Sequence, residues 1–239
     1  MNLIIDCGNT NLKYFIFKDQ ELLLSNLFRW EDDWSLKIIN TFPDLKNILL
    51  SDVTGKYNTD EVEKKFPNKN TYEVKALNFP FETNYNIENL GVDRIGLIAA
   101  AINKFPKEDC LVIDAGSCLT FDLISSKSVH KGGLISPGLL VRYKSLYQHT
   151  SSLPLIKFEN NKTQIGKDTK NSIQSGILEG FIFEINGQIE KFKRKIPNLK
   201  VILTGGDAKY LYKRIKNSIF AEQEFLASGL NNLLKCNKL

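Results

Sequence analysis

The pattern Ile-Asp-x-Gly occurs twice in this chain, at Ile5–Gly8 and at Ile113–Gly116, and each copy links two apolar runs through a short polar turn. The segments are "LIIDCGNTNLKYFIF" (Leu3 to Phe17) and "CLVIDAGSCLTFDLI" (Cys110 to Ile124). Their aspartates lie 108 residues apart, too far for the unit of a solenoid. That spacing is expected of two related α/β domains, each opening on a strand-turn-strand, with boundaries at 1–108 and 109–239. The flanking apolar patterns make duplication a better reading than a chance four-residue match.

Periodicity supplies the remaining elements. After the opening pair, Leu22 to Phe28 reads as a third strand, and Trp34 to Thr41 has helical apolar spacing behind an acidic start. "NILLSDV" (Asn47 to Val53) and Tyr72 to Leu77 read as strands, with a short amphipathic helix at Asp60 to Phe66 between them. Asp93 to Phe105 is predicted as a helix that closes before Pro106. In the second half, helices are predicted at Leu140 to His149, Asp168 to Ile189 and Lys209 to Lys216, and again in "FLASGLNNLLK". The glycines at 176, 180 and 187 would permit close helix packing. "VILTGGDA" (Val201 to Ala208) is a strand followed by a glycine turn.

Composition excludes several kinds of chemistry. The net charge of +5 is spread among interleaved acids, with no basic tract dense enough for a nucleic-acid arm. No apolar stretch reads as a signal peptide or a membrane span, so the expected location is the cytoplasm, with neither nucleic acid nor membrane as partner. The four cysteines lack CxxC spacing, and His130 and His149 are the only histidines. Catalysis must therefore fall to aspartates, lysines, arginines and backbone amides.

Three strand-end turns carry those groups: Asp6-Cys7-Gly8-Asn9-Thr10, Asp114-Ala115-Gly116-Ser117 and Gly205-Gly206-Asp207. Strand carboxyl ends line ligand crevices in α/β proteins, and glycine there admits phosphate oxygens to backbone amides. An aspartate on the same rim can hold a cation such as Mg²⁺. None of the turns matches GxGxxG or GxxxxGK[ST]. A single such turn is most simply a capped tight turn, but a duplicated Asp-x-Gly joined by a Gly-Gly turn favours a ligand site. For Asp93-Arg94 the pattern leaves two readings open: a dipole-favoured helix start, or a general base beside a cation that orients an anionic substrate.

Four segments, "DCGNTNLK" (Asp6 to Lys13), "GVDR" (Gly91 to Arg94), "DAGSCLTFD" (Asp114 to Asp122) and "GGLISPG" (Gly132 to Gly138), resemble in order and spacing the type III pantothenate kinases of the actin-like ATPase superfamily. "SIQSGILEG" (Ser172 to Gly180) and "LTGGDA" (Leu203 to Ala208) extend the resemblance over nearly the whole chain. The phosphate turns occur across that superfamily, whereas GxDR combined with GGxIxPG is far more specific. The resemblance implies two actin-like, ribonuclease H-like domains, each a mixed sheet flanked by helices, with an ATP cleft between them, in a homodimer. It implies ATP-dependent phosphorylation of pantothenate, the first step of coenzyme A synthesis. Asp93 would accept the hydroxyl proton. Gly91, Val92, Asp93, Arg94, Thr169 and Tyr85 would line the pantothenate site. Asp6, Cys7, Gly8, Asn9, Thr10, Asn11, Leu12, Lys13 and Ser117 would meet ATP, Asp6 would be a candidate Mg²⁺ ligand, and Asp114 would hold K⁺ or NH₄⁺.

The chain departs from the family pattern at three places. Ser117 stands where a Thr is usual, and Cys7 and Cys118 stand where Ala or Val is usual; both cysteines read as small packing residues. The family's pantothenate-contacting Tyr precedes the Gly of GxDR by seven positions, where this chain has Asn84, with Tyr85 beside it. Two rival functions remain at this level: a kinase of another small hydroxyl substrate, and a non-catalytic accessory regulator.

Overall fold

A computed structural model describes residues 1–160, 165–216, 219–220 and 224–238. The described chain divides into two compact units. The first holds Met1–Lys107, Lys127–Lys131 and the closing segment from Glu224, and the second holds Glu108–Ser126 and the described residues from Gly132 to Phe220. The closing helix thus groups with the first unit, not with the 109–239 domain expected from sequence.

In the first unit, β1 (Asn2–Cys7), β2 (Leu12–Lys18) and β3 (Glu21–Phe28) form an antiparallel meander. The strands β4 (Asn47–Asp52) and β5 (Asn70–Glu73) then add in parallel on the other side of β1, giving the order β3-β2-β1-β4-β5. The helices α1 (Trp34–Thr41) and α2 (Thr59–Lys65) connect these strands. A capping box starts α2, with the Asn58 side chain accepting from Glu61 N–H and the Glu61 side chain accepting from Asn58 N–H. On one sheet face Leu3, Ile5, Cys7, Ile16, Ile48 and Leu50 form a core with Trp34, Ile38 and Phe66. Two later helices, α3 (Val92–Lys104) and α7 (Glu224–Cys236), pack on β1 and β4 and on each other.

The second unit repeats this plan. Its strands β7 (Cys110–Ala115), β8 (Cys118–Ser125), β9 (Val129–Pro137), β10 (Lys200–Thr204) and β11 (Ile219–Phe220) lie in the order β11-β10-β7-β8-β9. Position for position, that is the order of the first sheet. The β7–β8 pair is antiparallel, and β10 and β11 run parallel to β7 and to each other, as β4 and β5 do to β1. The duplicated Ile-Asp-x-Gly therefore marks a duplicated topology. Residues 127–131 at the start of β9 belong with the first unit, where Glu82 and Thr83 of the short β6 (Glu82–Thr83) pair with Val129 and His130. The helices α4 (Leu139–His149) and α5 (Thr169–Lys195) enclose a core of Leu111, Ile113, Phe121, Tyr143, Phe181, Ile185 and Leu203.

Three expectations change in detail. Residues 72–77 split into the end of β5 and a 3₁₀ turn at Val74–Ala76, because β5 pairs only with Asn47 to Leu50 of β4. The helix expected at 209–216 is the single turn α6 (Ala208–Leu211), after which Arg214 N–H and Ile215 N–H both return to the Leu211 carbonyl. Among the described residues, nothing lies within 4 Å of a Cβ placed on Gly176, Gly180 or Gly187 of α5. Close packing occurs instead between α3 and α7. A Cβ on Gly229 would overlap the Gly96 carbonyl oxygen and lie 2.8 Å from the Ala100 Cβ. One on Gly96 would lie 2.7 Å from Leu226 and 2.9 Å from Leu230.

The backbone contact at Gly229 leaves no room for even a methyl group. Gly229→Ala is expected to lower stability by about 1–3 kcal/mol, the usual cost of overpacking, read from urea denaturation. An unchanged midpoint would show that the helices can separate freely.

Candidate active site

At the carboxyl end of β1 the chain alternates faces. Leu3, Ile5 and Cys7 enter the core, so Asp6 points to the opposite side. Asp6 pairs across the ladder with Lys13 of β2 and on its other side with Ser51 of β4. Burial is the main cause that raises its carboxyl from the ordinary 3.8 to about 7. Lys13 opposes the shift, while the negative charges of Asp93 and Asp52 add to it. Three segments far apart in sequence, carrying Asp6 with Lys13, Asp52 and Asp93, therefore share one electrostatic neighbourhood. The turn between β1 and β2 is closed by Gly8 N–H donating to the Asn11 carbonyl (3.1 Å), which leaves Asn9, Thr10 and Asn11 at the surface. Leu12 and Lys13 are half-buried.

Cys7 contributes no chemistry from its side chain. It is fully buried in the core, and burial pushes its thiol far above the ordinary value. Cys118, by contrast, expected as a small packing residue, is exposed.

Asp93 lies in the first turn of α3, where the helix dipole favours a negative charge. Its Oδ1 accepts from Arg94 N–H (2.8 Å) and folds back over Gly91, where a Cβ would lie only 2.5 Å away. A side chain in place of the Gly of GxDR would therefore displace this carboxylate from its position. Arg94 is 4% exposed, and its guanidinium carbon stands 5.1 Å from the Tyr85 ring centroid. Such a desolvated cation–π contact is worth up to about 2 kcal/mol. Tyr85 faces Arg94, whereas Asn84 is exposed and its N–H is spent on the His130 carbonyl (3.0 Å).

In the second unit the three turns at the ends of β7, β9 and β10 converge. A Cβ on Gly205 (φ +97°) would collide with Asp114 Oδ1 and lie 2.5 Å from the Ala115 carbonyl. One on Gly138 would collide with the Gly116 carbonyl oxygen and lie 2.5 Å from that of Ser117. Asp207 N–H donates to Ala115 O (2.9 Å), and burial raises the Asp207 carboxyl to about 6. A half-buried carboxylate, Asp114, beside several carbonyl oxygens is a hard-donor set that suits an alkali cation. Ser117 is exposed on the same turn. Thr169 opens α5 behind an Asp168 cap that accepts from Asn171 N–H (2.8 Å), and it is exposed.

Asp52 escaped the sequence reading, which took residues 47–53 only as a buried strand. Its carboxylate accepts from Thr54 N–H (2.7 Å), Thr54 Oγ1 (2.7 Å) and Tyr57 N–H (2.9 Å), and these bonds hold its pKa below the ordinary value against the opposing effect of burial. The polar Ser51-Asp52-x-Thr54-Gly55 run straight after "NILL" was the available signal. For His130 and Thr83 there was none, because their contact spans 47 residues and exists only through the β6–β9 pairing.

The family model for type III pantothenate kinases matches residues 2–191. A relative of that name from Flavobacterium psychrophilum is 39% identical over the full length of both chains. Another, from Christiangramia forsetii, is 40% identical over all of this chain and 99% of its own. Among solved structures, a protein from Campylobacter jejuni named a Baf family transcriptional activator is 26% identical, with a TM-score of 0.62 over 99% of this chain and 98% of its own. A 2-dehydro-3-deoxygalactonokinase from Sinorhizobium meliloti superposes with a TM-score of 0.59 at 10% identity over 99% of both chains, a likeness of fold alone. The architecture is the two-domain actin-like fold. The chain belongs to the type III pantothenate kinase family.

Proposed function

We propose that this protein transfers the γ-phosphoryl group of ATP to the hydroxyl of pantothenate, giving 4'-phosphopantothenate for coenzyme A synthesis. The observation that carries the reading is the end-to-end match to relatives named for that activity. In this reading Asp93 accepts the hydroxyl proton and Arg94 meets the pantothenate carboxylate. Phosphoryl transfer asks mainly for positioning and charge neutralisation, so a carboxylate base suffices without histidine. Gly91 and Val92 line the substrate with Tyr85, and Thr169 contributes from the start of α5. The Asp6–Lys13 hairpin and Ser117 contact ATP, with Lys13 meeting phosphate oxygens.

A raised carboxyl at Asp6, pushed further by two neighbouring acids, fits a divalent cation whose charge would relieve all three. Asp6 would hold Mg²⁺, which when bound screens phosphate charge. Asp114 and the surrounding carbonyl oxygens would hold K⁺ or NH₄⁺. The protein works in the cytoplasm without nucleic acid or membrane as partner; no helix among the described residues is long and apolar enough to cross a bilayer. A homodimer is supported by α5, where Gly176, Gly180, Phe183 and Gly187 recur at helical spacing and all stand exposed, Phe183 at 69%.

A coupled assay with ATP, Mg²⁺ and K⁺ tests the activity. Pantothenate should be phosphorylated with a far higher kcat/KM than candidate sugars, and Asp93→Asn should lower kcat by about 10²–10⁴-fold, the worth of a general base, with an unchanged circular dichroism spectrum. Preference for a sugar would overturn the substrate, and full activity in Asp93→Asn would remove it as base. Na⁺ in place of K⁺ should sharply reduce the rate, and indifference would remove the cation role of Asp114.

The Asp6 shift also sets a pH dependence. Below 3.8 the carboxyl is protonated whether the chain is folded or not; between 3.8 and about 7 the unfolded chain ionises while the folded one keeps its proton. Metal-free protein should therefore lose stability as pH rises through that window, and Asp6→Asn should flatten the slope in thermal melts. An identical slope in the variant would show that Asp6 is not its source. Phe183→Glu should convert the dimer to monomer in light scattering, and a persistent dimer would exclude that face of α5.

A further inference from the structure

Tyr85 is held by a device that lies outside the catalytic motifs. The three residues of β6 and its exit are fixed in succession. Glu82 N–H donates to the Ser128 carbonyl (3.2 Å), Asn84 N–H to the His130 carbonyl (3.0 Å), and Tyr85 N–H to Thr83 Oγ1 (3.0 Å). Thr83 Oγ1 in turn stands 2.8 Å from Nδ1 of His130. Either imidazole tautomer closes this chain. With Nδ1 bare the hydroxyl donates to it, and with Nδ1 protonated the hydroxyl oxygen accepts from both partners. His130 is fully buried, and its ring centroid lies 6.2 Å from that of Tyr85, whose other neighbour is the Arg94 guanidinium.

We infer that Thr83 and His130 form a latch that positions the Tyr85 ring on Arg94, and so sets the geometry with which this protein receives the carboxylate end of its substrate. The proposal rests on the pantothenate kinase reading for the identity of that substrate. Both are positioning residues, since they act through Tyr85 and Arg94. Three physical points support the assignment. Asn84 N–H makes the last bond to β9, and the next N–H, that of Tyr85, turns back to the Thr83 hydroxyl, which so decides the direction in which Tyr85 leaves the sheet. A threonine hydroxyl turns freely unless a second group fixes it, and the buried imidazole does so. A guanidinium nearly excluded from water keeps its orientation only where its surroundings are rigid, and one of its faces is covered by the ring that the latch holds.

The test uses Thr83→Val, which keeps the shape and removes the hydroxyl, with Thr83→Ser as the conservative variant. His130→Asn retains a polar atom near the Nδ1 position, and His130→Leu does not. Thr83→Val and His130→Leu should each raise KM for pantothenate about tenfold, leave KM for ATP unchanged and lower kcat much less. Thr83→Ser and His130→Asn should restore most of the loss. Once Tyr85→Leu is present, Thr83→Val should add nothing further, since one ring carries the effect. A readout without substrate accompanies the kinetics. The Arg94 Nε–H proton resonance, shifted by the Tyr85 ring current in the wild type, should move in both hydroxyl- and imidazole-deleting variants and return in the conservative ones.

Equal rises in both KM values, or full additivity with Tyr85→Leu, would overturn the latch in favour of general destabilisation. An unmoved Arg94 resonance would overturn it outright. Failure of the wild type to phosphorylate pantothenate would instead overturn the functional reading, and the resonance would still decide the latch.

Discussion

The direct approach of two helix backbones at Gly96 and Gly229 fixes the first unit, because it sets where α3 begins. With no side chain between them, α3 and α7 have no freedom to slide or tilt independently. Helix α3 therefore packs on β4, and Asp93 at its amino end comes within electrostatic range of Asp6, as Asp52 at the end of β4 does. Burial remains the main cause of the raised Asp6 carboxyl, and the smaller contribution of Asp93 comes from a helix whose packing contact at Gly96 lies within a turn of that aspartate. Shape determines charge here, and charge in turn defines which ligands the neighbourhood can receive.

The second unit reaches a comparable arrangement by backbone alone. Glycines at 116, 138 and 205 let three loops close around Asp114, and a methyl group at Gly138 or Gly205 would strike a neighbouring carbonyl. Two related topologies have thus diverged in how they present an acid. In the first, a helix end and neighbouring strands bring further acids to Asp6. In the second, the Ala115 and Cys118 carbonyls of adjoining turns stand near Asp114.

Much of this was legible in the chain. The repeat foretold two equivalent sheets, and the GxDR run located the start of α3. What escaped was whatever depended on contact between distant segments. The assignment of the last helix to the first unit rests on Gly96 meeting Gly229, and no local pattern announces such a pairing. His130 was visible only as one of two histidines, because its partner Thr83 lies in an element of two residues, too short for periodicity to register. The α5 glycines misled for the opposite reason: they were visible in the sequence, but among the described residues nothing lies within 4 Å of a Cβ on any of them.

One further feature bears on how the chain acquires its structure. Asn2, Asn47 and Asn70, register partners in β1, β4 and β5, pass amide hydrogen bonds along the sheet edge (3.1 and 3.2 Å). Asn2 donates in turn to Asn231 of α7 (2.8 Å), whose own amide reaches the Asp19 carbonyl (2.7 Å). The second residue of the chain is thereby tied to one 229 positions later. During synthesis the first sheet emerges with one of its covering helices still unmade, and its apolar outer face waits while the whole second unit is translated. Loop closure over that distance makes the first unit, although begun earliest, the last to be completed.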